Sequence, residues 1–171
     1  HLLDKNYRNT KYIFNTQKSY YEGETMTSVG PEGESVRYVV SNDLRDTEKK
    51  IIKSINKYVI NEAIPKKEIA ILSGNKGGVA TTLLGNYYIK HKNPILTNFT
   101  FVKAEDNHKD AIVLDSIKRF KGLERDVVIL FDLEDALDNP EEMYTGLSRP
   151  KLILDIFVSE RGLEILKKIS E

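Results

Sequence analysis

Two runs constrain the chain most: Glu68 to Leu72 (Glu-Ile-Ala-Ile-Leu) and Asp126 to Phe131 (Asp-Val-Val-Ile-Leu-Phe). Both are short and nearly all apolar, which suits a strand covered on both faces rather than one with a wet side. Between them lie helical patterns and weaker strands. Asn9 to Tyr21 reads as a helix with Tyr12, Ile13, Thr16 and Tyr20 near one face. Asp46 or Thr47 caps a helix to about Asn61, striped by Ile51, Ile52, Ile55 and Val59. Gly78 to Lys90 is expected to be helical. Asp138 or Asn139 caps another helix, with Pro140 in its first turn and Glu141 and Glu142 behind. Ser159 opens a last one carrying Leu163, Leu166 and Ile169. Further strands are expected at Val36 to Ser41, within Pro94 to Val102, at Ala111 to Asp115 and at Lys151 to Ser159, and a loop at Glu22 to Ser35. Strands alternating with helices predict an α/β fold: a mostly parallel sheet between two helical layers. Ligands of such sheets sit beyond the C-terminal strand ends, so the loops after Leu72, Asp115, Phe131 and Ser159 attract attention first.

The 171 residues suit a single domain spanning 1–171. With 26 basic and 26 acidic residues, the chain is no basic nucleic-acid coat and no polybasic membrane binder, which leaves room only for a local patch. It has no cysteine, which excludes a disulfide scaffold, a Cys-ligated zinc and a Cys nucleophile. No apolar run approaches the roughly 18 residues of a membrane span. The absence of cysteine and of a targeting signal predicts a cytoplasmic setting and no membrane partner. Because the chain opens on His1 rather than Met, a piece of a larger protein is expected.

Two stretches imitate nucleotide sites. Ser73 to Thr82 follows a strand and is rich in glycine, but Ala80 precedes Thr81 where a Walker A loop carries lysine. It reads as a glycine-rich turn. Val127 to Asp132 resembles a magnesium-binding Walker B strand. Lacking a phosphate loop, it reads as an acidic loop leading to a helix cap. His1, His91 and His108 have no ligand spacing, so no metal site is expected. The Tyr20-Tyr21 pair reads as core rather than as a base-stacking platform.

Three segments carry stronger chemistry: Leu2 to Thr10, Leu114 to Val128, and Met143 to Lys151. Arg8 stands at a helix start, where backbone N–H groups also favour an anion. Arg149 closes the predicted helix from Glu141. Two arginines converging on one anion suit a transferring phosphoryl group, because guanidinium forks match phosphate oxygens and stay charged. Gly122 permits close backbone approach, and Glu124 is suited to a ribose hydroxyl. Lys118, Arg119 and Lys121, with Phe120 among them, make a dense basic patch suited to a nucleic-acid backbone.

On these segments the chain resembles the second RecA-like domain of superfamily-1 helicases of the UvrD/Rep type. Asn6-Tyr7-Arg8-Asn9-Thr10 resembles their motif IV (Asn-Tyr-Arg-Ser-Thr), Ser116 to Glu124 their motif V, and Tyr144 to Lys151 their motif VI. The likeness spans nearly the whole chain. It implies a RecA-like three-layer sandwich of the P-loop NTPase type, without a Walker A of its own. It further implies that Arg8 and Arg149 act as arginine fingers on the γ-phosphate of ATP. Glu124 and the Gly122 backbone would hold the nucleotide's sugar, and Ser116, Lys118 and Arg119 would contact single-stranded nucleic acid, DNA by expectation. ATP, with Mg2+ ligated from a separate N-terminal RecA-like domain, would be shared between the two halves. Ser116 replaces the family's usual Thr, Lys118 a frequent His, and Pro150 the usual Ala. The stretch Gly74 to Asp110 is too short for the subdomain that UvrD and Rep insert between motifs IV and V. Alternatives are an ATP-driven remodeller or regulatory ATPase without unwinding, a degenerate interaction module, and a stand-alone nucleotide binder using Gly74 to Thr82.

Overall fold

The computed structural model describes residues 5–21, 26–77 and 99–170. In chain order the strands are β1 (Lys5–Asn6), β2 (Thr27–Ser28), β3 (Arg37–Val40), β4 (Ile69–Ser73), β5 (Phe101–Val102), β6 (Ile112–Ser116), β7 (Arg125–Phe131) and β8 (Pro150–Val158). The helices are α1 (Lys11–Lys18), α2 (Leu44–Asn56), α3 (Pro140–Leu147) and α4 (Glu160–Ser170). Six strands form one sheet in the order β3-β8-β7-β4-β6-β5, and every neighbouring pair is parallel. The two apolar runs became the centre: β4 lies between β6 and β7, with Ile71 opposite both Leu114 and Ile129.

The period of two along the strands sorts the core into two layers. Ala70, Leu72, Val128 and Leu130 face Ile13 of α1, Met143 and Leu147 of α3, Leu166 of α4, and Ile117 and Phe120 of the β6–β7 connector. Ile69, Ile71, Val127 and Ile129 face Ile51, Ile52 and Ile55 of α2, together with Tyr58 and Phe99. Asp155 of β8 is fully buried in this sheet. Its carboxylate accepts from Arg37 Nε at 2.8 Å, from a second Arg37 nitrogen, and from Tyr58 Oη at 2.8 Å. The partners explain how a buried charge is tolerated there.

Several boundaries differ from the sequence reading. α2 begins earlier, because Asp43 rather than Asp46 or Thr47 is the cap, its Oδ1 accepting from Asp46 N at 2.8 Å. Its regular part ends at Asn56 and continues as one wider turn, Lys57–Asn61. The stretch read as an unbroken loop holds β2, which pairs in parallel with β1. A two-residue strand leaves too short a pattern to be seen in sequence. Asn139 and Ser159 do act at helix starts as expected, accepting from Glu142 N and Gly162 N at 3.2 and 3.1 Å. The helix expected over Gly78 to Lys90 and most of Pro94 to Val102 fall outside the described residues.

Candidate nucleotide-binding edge

The first element of the site is a turn built by Asn6. Its Oδ1 accepts from the backbone N–H groups of Arg8 and Asn9 at 3.0 and 3.1 Å, an Asx turn that leaves Tyr7 and Arg8 projecting. Asn9 beside them is buried. Its amide donates to the carbonyls of Pro150 (2.6 Å) and Ser148 (3.4 Å), while its Oδ1 accepts from Asn6 Nδ2 and Gln17 Nε2. Thr10 N donates to Lys151 O at 3.2 Å. These bonds pin the turn carrying Arg8 against the loop carrying Arg149.

The second element is the turn before β7. Gly122 has φ +92°, in the left-handed region that favours glycine. A Cβ built there meets no atom within 4 Å, so the space beside its backbone is open. Glu124 follows and forms an ion pair with Arg8 Nε at 2.9 Å, both side chains about half exposed. The third element is the end of α3. Arg149 donates through Nε to Thr145 O (2.9 Å), through Nη1 to Leu123 O (3.2 Å) and through Nη2 to Ser148 Oγ (2.7 Å). Its pKa is lowered, first by burial and then by the charge of Arg8. Burial followed by Tyr21 raises that of Tyr144, whose ring lies 5.3 Å from the Tyr21 ring.

Arg8, Glu124, Gly122 and Arg149 therefore gather from three separate segments at one place. That place is not the edge expected from the fold class. Glu124 precedes β7 and Arg149 precedes β8, so the cluster sits at the N-terminal edge of the sheet. The reason is the parallel crossover: a helix between two parallel strands runs back to the edge where the next strand starts. Only Ser148 and Arg149 separate α3 from β8, so Arg149 lands directly at that start. Pro150 fits as the first strand residue, a position where proline is tolerated.

The residues expected to touch nucleic acid lie toward the other edge. Ser116 ends β6 and is buried, its Oγ accepting from Arg119 N at 3.3 Å. Lys118 Nζ lies 3.4 Å from Glu142, and Lys121 Nζ 3.4 Å from Glu141. Arg119 pairs with Glu105 and, at 3.3 Å, with Asp115. Phe120 is in the core, not at the surface among them. The basic patch visible in sequence is thus matched cation by cation with carboxylates. The sequence signals for this were the acidic start of α3 for the two lysines and Asp115, four residues before Arg119.

The glycine-rich turn after β4 is explained by packing where it is described. A Cβ on Gly74 falls 2.8 Å from that of Ala136. Lys76 N donates to Asp135 Oδ2 at 3.0 Å and Asn75 Nδ2 to Asp132 Oδ2 at 3.2 Å. Asp132 takes a positive φ of 52°, and burial raises its pKa. Ala80 to Thr82 lie outside the described residues.

No family model matches the chain, and no curated protein matches it. Among solved structures it is similar to the C-terminal domain of a possible DNA helicase from Lactobacillus plantarum WCFS1, with a TM-score of 0.65 and 17% identity, covering 95% of this chain and 93% of that one. At that identity the likeness speaks for the fold, which is RecA-like: a parallel sheet between helical layers. Among the described residues, no helix is long and apolar enough to cross a membrane.

Proposed function

We propose that the chain is the C-terminal motor half of an ATP-dependent superfamily-1 helicase or translocase. The observation that carries this reading is the gathering of Arg8, Glu124 and Arg149 at one edge. Two guanidinium groups beside a carboxylate and an open glycine backbone fit a nucleotide: cations for phosphate oxygens, the carboxylate for a ribose hydroxyl. Arg8 and Arg149 stabilise charge as the γ-phosphoryl group transfers, while an N-terminal RecA-like domain supplies the phosphate loop and the Mg2+ ligands. ATP then sits between two domains, and its hydrolysis opens and closes the cleft as the protein moves along single-stranded nucleic acid, by this reading DNA. By this reading Lys118 and Arg119 face that strand, while the buried Ser116 hydroxyl holds the Arg119 backbone behind them.

The test joins this chain to its partner domain and measures ATP hydrolysis with and without single-stranded DNA. Turnover is expected from the pair and none from the chain alone. Arg149→Ala is expected to lower turnover by about 10³-fold or more. Hydrolysis by the pure chain, or wild-type turnover by Arg149→Ala, defeats the shared-site reading.

A second reading is favoured by the paired state of Lys118, Arg119 and Lys121: an ATP-driven remodeller that does not unwind. Strand displacement by the joined protein separates the two.

A further inference from the structure

Arg125 opens β7 with only 9% of its surface exposed. A buried guanidinium is costly unless its charge is answered, ordinarily by a carboxylate. The hydrogen bonds of Arg125 run to main chain instead. Nη1 donates to the Glu124 carbonyl at 2.7 Å and Nη2 to the Asn107 carbonyl at 3.0 Å. The guanidinium carbon lies 5.7 Å from the centre of the buried Phe120 ring. Its own backbone N–H donates to the Arg149 carbonyl at 3.2 Å. One residue thus holds Glu124 through its side chain and Arg149 through its main chain.

The turn it restrains needs holding. Residues 120–124 cross from the helical layer to the start of β7, are closed by one bond from Leu123 N to Phe120 O, and pass through the left-handed Gly122. The Leu123 carbonyl in that turn also receives Arg149 Nη1. If the turn shifts, both Glu124 and the Arg149 fork lose their aim. The anchor on the far side is fixed to the sheet: Asn107 closes the turn Ala104–Asp106, whose Ala104 N donates to buried Asp115 at 2.9 Å. Only an arginine supplies two diverging donors on a flat face that stacks on a ring; lysine offers one point charge.

We infer that Arg125 is a positioning residue: by bridging the carbonyls of Glu124 and Asn107 above Phe120, it sets the direction of the Glu124 carboxylate and of the Arg149 fork. Its consequence for nucleotide rests on the proposed function; the placement of Glu124 does not.

Two measurements test it. In the chain alone, exchange of the Arg8 Nε–H with water is followed by NMR, using Glu124→Gln as the reference for a lost ion pair. Arg125→Met is expected to raise the Arg8 exchange rate to that of Glu124→Gln, and Arg125→Lys to raise it as well. A role confined to stability lowers the melting temperature and leaves Arg8 exchange unchanged, which overturns the inference. Should Arg125→Met fail to fold, Arg125→Lys carries the same test. In the joined two-domain protein, binding of a fluorescent ATP analogue is compared for Glu124→Ala, Arg125→Met and the double variant. Each single change is expected to weaken binding about tenfold, and the double to be no weaker than Glu124→Ala. Additive losses, or wild-type affinity in Arg125→Met, overturn the inference. Wild-type affinity in Glu124→Ala overturns the nucleotide reading instead, and the Arg8 exchange then decides the role of Arg125.

Discussion

Arg8 and Glu124, 116 positions apart in the chain, form an ion pair of 2.9 Å across the N-terminal edge of the sheet. Both side chains are about half exposed, so the pair contributes little to stability, about 0.2–1 kcal/mol for such geometry. On the proposed function, a nucleotide entering the site would take the guanidinium for its phosphate and the carboxylate for its sugar, exchanging one pair for two contacts. Arg8→Ala is therefore expected to leave the melting temperature of the chain almost unchanged while lowering ATP turnover of the joined protein by about 10²-fold or more. A matched pair of calorimetric scans and a steady-state assay separates the two effects. A large loss of stability with intact turnover contradicts the assignment.

Asn9 behaves in the opposite way. It is buried, and its side chain makes four hydrogen bonds, two of which join α1's entry turn to the Ser148 and Pro150 carbonyls while two hold it to Asn6 and Gln17. Asn9→Ala leaves two carbonyls and the Gln17 amide without that partner. The expected cost is about 2–3 kcal/mol, seen as a lower denaturation midpoint at unchanged denaturant slope. Asn9→Asp keeps the acceptor but not the donors, so it is expected to fare no better.

The Arg37–Asp155–Tyr58 network is a third test. Removing Arg37 strands a fully buried carboxylate with Tyr58 as its remaining partner. Arg37→Met is expected to cost about 3 kcal/mol. Combining it with Asp155→Asn is expected to restore part of the loss, since the uncompensated charge is gone. Additive losses in urea unfolding contradict this account.

Tyr20 predicts an alkaline response. Burial, then the neighbouring Tyr38, raises its pKa from 10.0 to about 12. Between pH 10 and 12 the unfolded chain releases this phenolic proton while the folded chain keeps it. The unfolded state then binds fewer protons, so stability falls as pH rises through that window and is flat below it. The full loss is about 2–3 kcal/mol, and Tyr58 adds to it in the same direction, its pKa raised by burial first and by Asp155 next. Tyr20 Oη has no hydrogen-bond partner among the described residues. Tyr20→Phe is thus expected to cost little at pH 7 and to flatten the fall above pH 10, as read from melting temperatures across that range.

Much of the architecture was legible because β4 and β7 are buried on both faces, and a strand so placed has to be apolar throughout. α3 was legible through Asn139, Pro140 and its paired glutamates, α4 through Ser159. β1 and β2 were not, being two residues each. The motif residues Arg8, Gly122, Glu124 and Arg149 were picked out individually, yet the sheet edge they share was misplaced. Arg125 escaped notice, since a buried arginine bonded to carbonyls looks in sequence like any surface arginine.

By itself the sequence determined the α/β class and the central strands and picked out Arg8, Gly122, Glu124 and Arg149, because burial pattern and helix-end chemistry are local and act over a few positions. Tertiary structure alone decided that Arg8 meets Glu124, that Asn9 locks them to the Arg149 loop, that Lys118, Arg119 and Lys121 are each answered by a carboxylate, and that the cluster lies at the strand starts. Those outcomes follow from strand order and connector length, which bring Arg8 to Glu124 and Asn9 to Pro150 across more than a hundred residues.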